Sequence, residues 1–101
     1  MPANEAALLL GAQIEFQSIF ARFADSSFAR AEAFDQLVHE GLRQIAKFPH
    51  SAPRHIGRYH RLLLRKPPYA LFYAVEGNRV FVHAILDIRQ PREAIARRLG
   101  L

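Results

Sequence analysis

The residues best equipped for chemistry are histidines and arginines in the second half of the chain. His60 stands directly beside Arg61, Arg65 follows on the same segment, and Arg89 lies further on. Histidine is the usual acid or base near neutral pH, and a guanidinium fork grips phosphate or carboxylate through two parallel bonds. His60 is therefore the first candidate for proton transfer, and the arginines are candidates for holding an anion. His50 and His55 sit in a Pro/Gly-rich loop with Arg54 and Arg58. His83 falls mid-strand between Phe81 and Ile85, where a packed, hydrogen-bonded imidazole is the plainer reading. No carboxylate or cysteine accompanies His50 and His55 at useful spacing, so neither a metal nor a cofactor is expected.

Charge is unevenly placed. Residues 1–49 hold four basic against six acidic side chains, whereas residues 50–101 hold ten basic against three acidic. Twelve of the fourteen basic residues are arginine. Clustered guanidinium groups attract phosphates or carboxylates at long range, so the second half favours an acidic or polyanionic partner. The competing reading is a solvated basic surface, since strand edges often carry arginine merely to stay soluble.

At 101 residues, half of them apolar, the chain reads as one domain, 1–101. Without cysteine, neither a disulfide framework nor a thiolate metal site is available. No segment approaches the roughly 20 apolar residues of a membrane span, and no basic region precedes the short apolar run at the N-terminus. A soluble, cytoplasmic protein without membrane contact is the expectation.

The elements that would position these residues follow from periodicity. Leu9, Ala12, Phe16, Ile19 and Phe23 lay one apolar stripe along a helix from about residue 6 to 24. Asp25-Ser26-Ser27 breaks it and offers caps for a second helix, whose stripe is Phe34, Val38, Gly41, Ile45 and Phe48. Pro49, Pro53 and Gly57 then mark a loop. The aromatic series Phe16, Phe20, Phe23, Phe34 and Phe48 is read as core, because a sheet needs an apolar layer to cover it. The period then changes to two. Tyr69, Leu71, Tyr73 and Val75 alternate with Ala70, Phe72 and Ala74, and Phe81, His83 and Ile85 alternate with Val80, Val82 and Ala84. Gly77-Asn78 joins these strands as a hairpin, Lys66-Pro67-Pro68 separates them from an earlier strand at Arg61 to Arg65, and Pro91 opens a last helix with Ile95 and Leu99 as its apolar contacts. The expected fold is α+β: an N-terminal antiparallel helical hairpin on a small, curved antiparallel sheet of three to four strands, with a short C-terminal helix.

This order, together with Ala46-Lys47-Phe48-Pro49, Arg61-Leu62-Leu63-Leu64-Arg65, Pro68-Tyr69-Ala70-Leu71-Phe72-Tyr73 and Val80 to Pro91, resembles the RelE/ParE family of type II toxins, the plasmid stabilisation proteins. Family members usually open with an edge strand, whose slot falls on about Asn4 to Leu8. Asn-Glu-Ala-Ala-Leu has poor strand propensity, so that strand is expected to be short, absent or absorbed into the first helix.

The resemblance implies a toxin neutralised by a cognate antitoxin, in a possible hetero-oligomer, and two functions. RelE-like members cleave messenger RNA in the ribosome; ParE-like members inhibit DNA gyrase by binding it. The RelE-like pattern is met at Arg61, Arg65 and Arg89, with His60 as a substitute acid or base. It fails at Ala70, where an arginine should follow the strand tyrosine, and at Ile95, where a C-terminal tyrosine should stand. Losing a transition-state arginine costs orders of magnitude in phosphoryl transfer. The ParE-like reading is accordingly preferred, without an assigned catalytic residue, and with Arg61, Arg65, Tyr69, Arg89, Ile95, Arg97 and Arg98 as candidates for contact with antitoxin or target. A ribosome-dependent ribonuclease using His60, Arg61, Arg65 and Arg89 is the alternative, and a non-toxic nucleic-acid-binding module is a third.

Overall fold

The computed structural model describes residues 5–65 and 68–101. The chain begins with strand β1 (Glu5–Leu8), then α1 (Leu10–Ser26) and α2 (Phe28–Lys47). Strands β2 (Arg54–Ile56), β3 (Tyr59–Leu63), β4 (Tyr69–Glu76) and β5 (Arg79–Asp87) follow, and helix α3 (Arg92–Arg98) closes the chain. The strands lie in the order β1-β5-β4-β3-β2. β1 runs parallel to β5, while the remaining pairs are antiparallel.

The α+β class, the two leading helices and the short last helix are as the periodicity predicts. The sheet is larger than expected, with five strands and one parallel pair. β1 forms despite weak propensity because Ala6 and Leu8 pack on the core while the backbone pairs from Glu5↔Arg79 to Leu8↔Val82; context overrides local preference. The first helix consequently starts at Leu10, four residues later than its stripe suggests. β2 is the other addition, a three-residue strand carved from the Pro/Gly loop.

The helices fold back on each other at Ser27, whose extended backbone separates them and whose Oγ accepts from the Arg30 N–H at 3.4 Å. Phe16 stacks on Phe34 at 5.7 Å and Phe23 tilts against Phe34 at 5.5 Å, so these aromatics are core as expected. Phe48 is the exception: it leaves helical geometry before Pro49 and its side chain is exposed, with the Lys47 ammonium 5.5 Å from the ring.

The two sheet faces carry separate cores. Phe34, Val38, Ile45, Leu71, Tyr73, Val82 and Ile85 fill the layer under α1 and α2, while Phe72, Ala70, Ala84, Leu86, Ile95 and Leu99 fill the layer under α3. β4 is thus buried on both sides. The simple alternation expected of β5 is broken. Phe72 opposes Ala84 but Tyr73 opposes Val82, so His83 is an extra residue, a β-bulge. Ile85 therefore shares a face with Val80 and Val82 rather than with Phe81. A second bulge lies in β2, where Arg54 opposes His60 and Ile56 opposes Tyr59, leaving His55 unpaired in register.

In the hairpin turn only Gly77 takes positive φ, 62°; Asn78 does not share it. Pro91 caps α3 rather than occupying its first turn. Beyond the Leu99 cap, Gly100 takes positive φ (79°), and its N–H donates to Arg97 and the Leu101 N–H to Ala96 in a Schellman arrangement. Lys66 and Pro67 of the expected separator, and Asn4 of the first-strand slot, lie outside the described residues.

Candidate functional site

Strand geometry decides first what His60 and Arg61 can do together. Successive side chains point to opposite faces, so these two neighbours are separated by the sheet. His60 is 8 % exposed, stacks on Tyr73 with ring centroids 5.0 Å apart, and its Nδ1 lies 2.7 Å from the Ala52 carbonyl. A carbonyl only accepts, so Nδ1 carries a proton. Tyr73 in turn donates to the Pro49 carbonyl at 2.9 Å, and burial raises its pKa above the ordinary phenol value. Both rings thus pin the loop that follows α2. The sequence-based candidate for proton transfer is a tether in the core.

The remaining members of the ribonuclease set are also dispersed. Arg65 is 85 % exposed and lies 3.8 Å from Glu40 of α2. Arg89 grips Asp87 through Nη2 at 2.7 Å and Nε at 3.1 Å, and its own N–H donates to the same carboxylate. The Arg89 side-chain bonds hold the Asp87 carboxyl below the usual carboxylate range. Ala70, where the RelE-like pattern wants arginine, is fully buried in the layer that contains Ile95 and Leu99 of α3. An alanine suits that position because the short helix packs over it.

Ile95 is buried in this layer, so its side chain offers almost no surface to a partner. Tyr69 packs edge-on against Phe23 and Phe34, and its hydroxyl accepts from Arg22 Nη2 at 3.5 Å. It borders a cleft of about 320 Å³ between α1 and the end of β5, which Arg22, Asp87 and Gln90 also line. Arg97 is exposed.

Arg98 has an internal task that the sequence did not suggest. β1 covers β5 only as far as Val82, which leaves the next stretch of that edge without a strand. Arg98 Nη2 donates to the His83 carbonyl at 2.9 Å, and the Ile85 N–H donates to Glu15 Oε1 at 3.1 Å. The two side chains then join each other, Arg98 Nε to Glu15 Oε2 at 2.8 Å and Nη2 to Oε1 at 3.0 Å. A carboxylate from α1 and a guanidinium from α3 thereby supply the acceptor and donor a neighbouring strand would have given. His83 lies within this network, its ring 5.0 Å from that of Tyr59 and its Nε2 buried without a hydrogen-bond partner. Burial, and then Arg58, lower its pKa.

On the α3 face, His55 of β2 and Arg61 of β3 are both neighbours of Phe72. Burial, then Arg61, then Arg92 lower the His55 pKa, which places both guanidinium groups within electrostatic reach of the imidazole. The His55 ring is 6.5 Å from that of Phe72, the residue opposite Arg61. Neither Arg61 nor Arg92 has a carboxylate partner among the described residues. The sequence singles out Arg61 and places His55 in the basic Pro/Gly loop, but gives Arg92 no role of its own. Among the described residues no three His, Asp or Glu side chains gather as a metal site, and no helix is long and apolar enough to cross a membrane.

No family model and no curated protein matches the chain. Among solved structures it is similar to a chain described as "Chromosomal ParDE TA system from P. aeruginosa", with a TM-score of 0.71 at 15% identity over 82% of this chain and 94% of that one. At this identity the likeness is one of fold.

Proposed function

We propose that this chain is the toxin of a type II toxin–antitoxin pair, ParE-like, acting by binding DNA gyrase and neutralised by a cognate antitoxin. The observation that carries the reading is the shared fold, extending over nearly the whole of a chain from a ParDE system. Action by binding rather than by RNA cleavage draws support from the dispersal of His60, Arg61, Arg65 and Arg89 and from the burial of Ala70. Arg61, Arg65, Tyr69, Arg89 and Arg97 are the contact residues assigned in this reading. Ile95 and Arg98 support the fold instead. Because the antitoxin binds the folded toxin, abundant antitoxin keeps the free species scarce by mass action.

The test is controlled expression in a bacterial host, with chromosomal DNA breaks and messenger RNA 5′ ends scored from one culture. The expected outcome is arrested growth with breaks and intact messages. Codon-phased message cleavage without breaks would instead mean a ribosome-dependent ribonuclease. Unaffected growth would leave a non-toxic module.

A further inference from the structure

The outward faces of the two long helices differ in charge. Opposite its core residues Ala12, Phe16, Ile19 and Phe23, α1 presents Leu10, Gln13, Ile14, Gln17, Ala21 and Ala24 to solvent, none of them charged. Of the three ionisable side chains on α1, Glu15 is bound to Arg98 and Arg22 turns to the Tyr69 hydroxyl, which leaves Asp25 near the end of the helix. The corresponding face of α2 carries Glu32, Glu40, Arg43 and Lys47, all exposed, as a helix bathed in water should. On α1, Leu10 is 70 % exposed and Ile14, one turn later, 59 %. Phe28, 60 % exposed and edge-on to Phe20, continues the patch past the end of α1. The other large exposed apolar side chains among the described residues, Phe48, Leu63 and Leu101, stand singly on separate segments.

We infer that this face of α1 is where two copies of this chain meet, antiparallel, about a two-fold axis at Gln17. A two-fold interface must be self-complementary, each residue meeting its counterpart counted from the other end of the helix. With Gln17 on the axis, Leu10 of one copy falls opposite Ala24 of the other, and Ile14 opposite Ala21. The large side chains occupy one half of the stripe and the small ones the other, so this arrangement sets large on small and lets the axes approach closely. A parallel pair would set large on large. Gln17 meets its own copy, and an amide, being both donor and acceptor, pairs with itself. Charge agrees with this occupant. At a net charge of +5 two copies repel over most of their surface, and the α1 stripe brings no cations together. The first turn of α1 holds no acidic residue and its N-cap, Leu9, makes no side-chain hydrogen bond; the antiparallel copy brings Asp25 towards that positive helix end. The inference stands independently of the toxin reading.

The chain has no cysteine, so introduced single cysteines report the geometry. Under a mild oxidant, Gln17→Cys should form a disulfide-linked dimer at least about tenfold faster than Gln36→Cys on the outward face of α2. In a mixture, Leu10→Cys should cross-link to Ala24→Cys faster than to itself. Sedimentation velocity on the intact protein up to about 1 mM should show a reversible dimer, since one helix pair lies at the small end of stable interfaces. Ile14→Glu buries an unpaired carboxylate from each copy and should weaken the dimer at least about tenfold, while Leu63→Glu, the same kind of change at an exposed leucine of β3, should alter it little. Far-ultraviolet circular dichroism confirms that the variants are folded. A monomer at every concentration, equally fast cross-linking of Gln36→Cys, or equal weakening by Leu63→Glu would overturn the proposal. Leu10→Cys pairing chiefly with itself would overturn the antiparallel arrangement on which it rests. A monomer that binds vesicles of phosphatidylcholine and phosphatidylglycerol, and ceases to in Ile14→Glu, would overturn it in favour of a lipid surface.

Discussion

The two β-bulges are built alike and end differently. Each inserts a histidine, His83 in β5 and His55 in β2, and each histidine is held below its ordinary pKa by burial first and by nearby guanidinium groups next. At His83 a carboxylate, Glu15, is at hand to bind Arg98 and the Ile85 N–H that has no strand partner. At His55 no carboxylate among the described residues pairs with Arg61 or Arg92. The same residue type is therefore structural in one place and available in the other. What separates the two roles is the presence of an acidic partner within reach, not the arginine itself.

The comparison breaks most visibly if Glu15 is removed. Glu15→Ala orphans the Ile85 N–H and strips Arg98 of its counter-charge, and should destabilise the fold by about 2–3 kcal/mol, read from the urea midpoint at constant m-value. A loss under about 0.5 kcal/mol would mean that the bulge holds itself, and the contrast with His55 would lapse.

Acid should sharpen the contrast. Both histidines have folded pKa values below the unfolded one, so the unfolded chain takes up the proton first. Stability is therefore fully present above about pH 6.5 and falls as pH drops below it, levelling off once the folded-state pKa is passed. The slope is at most about 1.4 kcal/mol per pH unit for each histidine. His83→Gln should flatten the decline between pH 7 and 5 more than His55→Gln, because the Nε2 of His83 is buried. The reverse order, measured by thermal melts across that range, would place the strained imidazole in β2.

The smallest effect belongs to Arg61 and Arg92. Arg61→Ala and Arg92→Ala each remove like-charge repulsion and no ion pair among the described residues, so each should change stability by no more than about 0.5 kcal/mol, with stabilisation the expected sign. Loss of more than about 1 kcal/mol in chemical unfolding would show that these arginines hold the fold.

Much of this was legible from the chain alone, for definite reasons. Phe34, Val38 and Ile45 recur at helical spacing and are buried together; Tyr69, Leu71 and Tyr73 alternate and share one layer. Ile95 and Leu99 were read as the apolar contacts of the last helix, and both are buried. Naming Ile95 also as a docking residue contradicted that reading, because one small face cannot serve the core and a partner at once. Adjacency in sequence suggests pairing His60 with Arg61, whereas a strand sends neighbours to opposite sides and leaves His60 buried. β1 was doubtful because its stability comes from pairing with β5, which local propensity does not register.

Sequence by itself determined the periodicities, the charge asymmetry and the absence of cysteine chemistry, since each depends on residue type and short-range spacing. Tertiary structure decided the parallel edge strand, the two histidine bulges and which arginines are spent. Those depend on contacts between distant segments: Glu15 and Arg98 meet across 83 positions of chain, and the folded sheet alone brings them within hydrogen-bonding distance while leaving Arg61 and Arg92 without a carboxylate partner among the described residues.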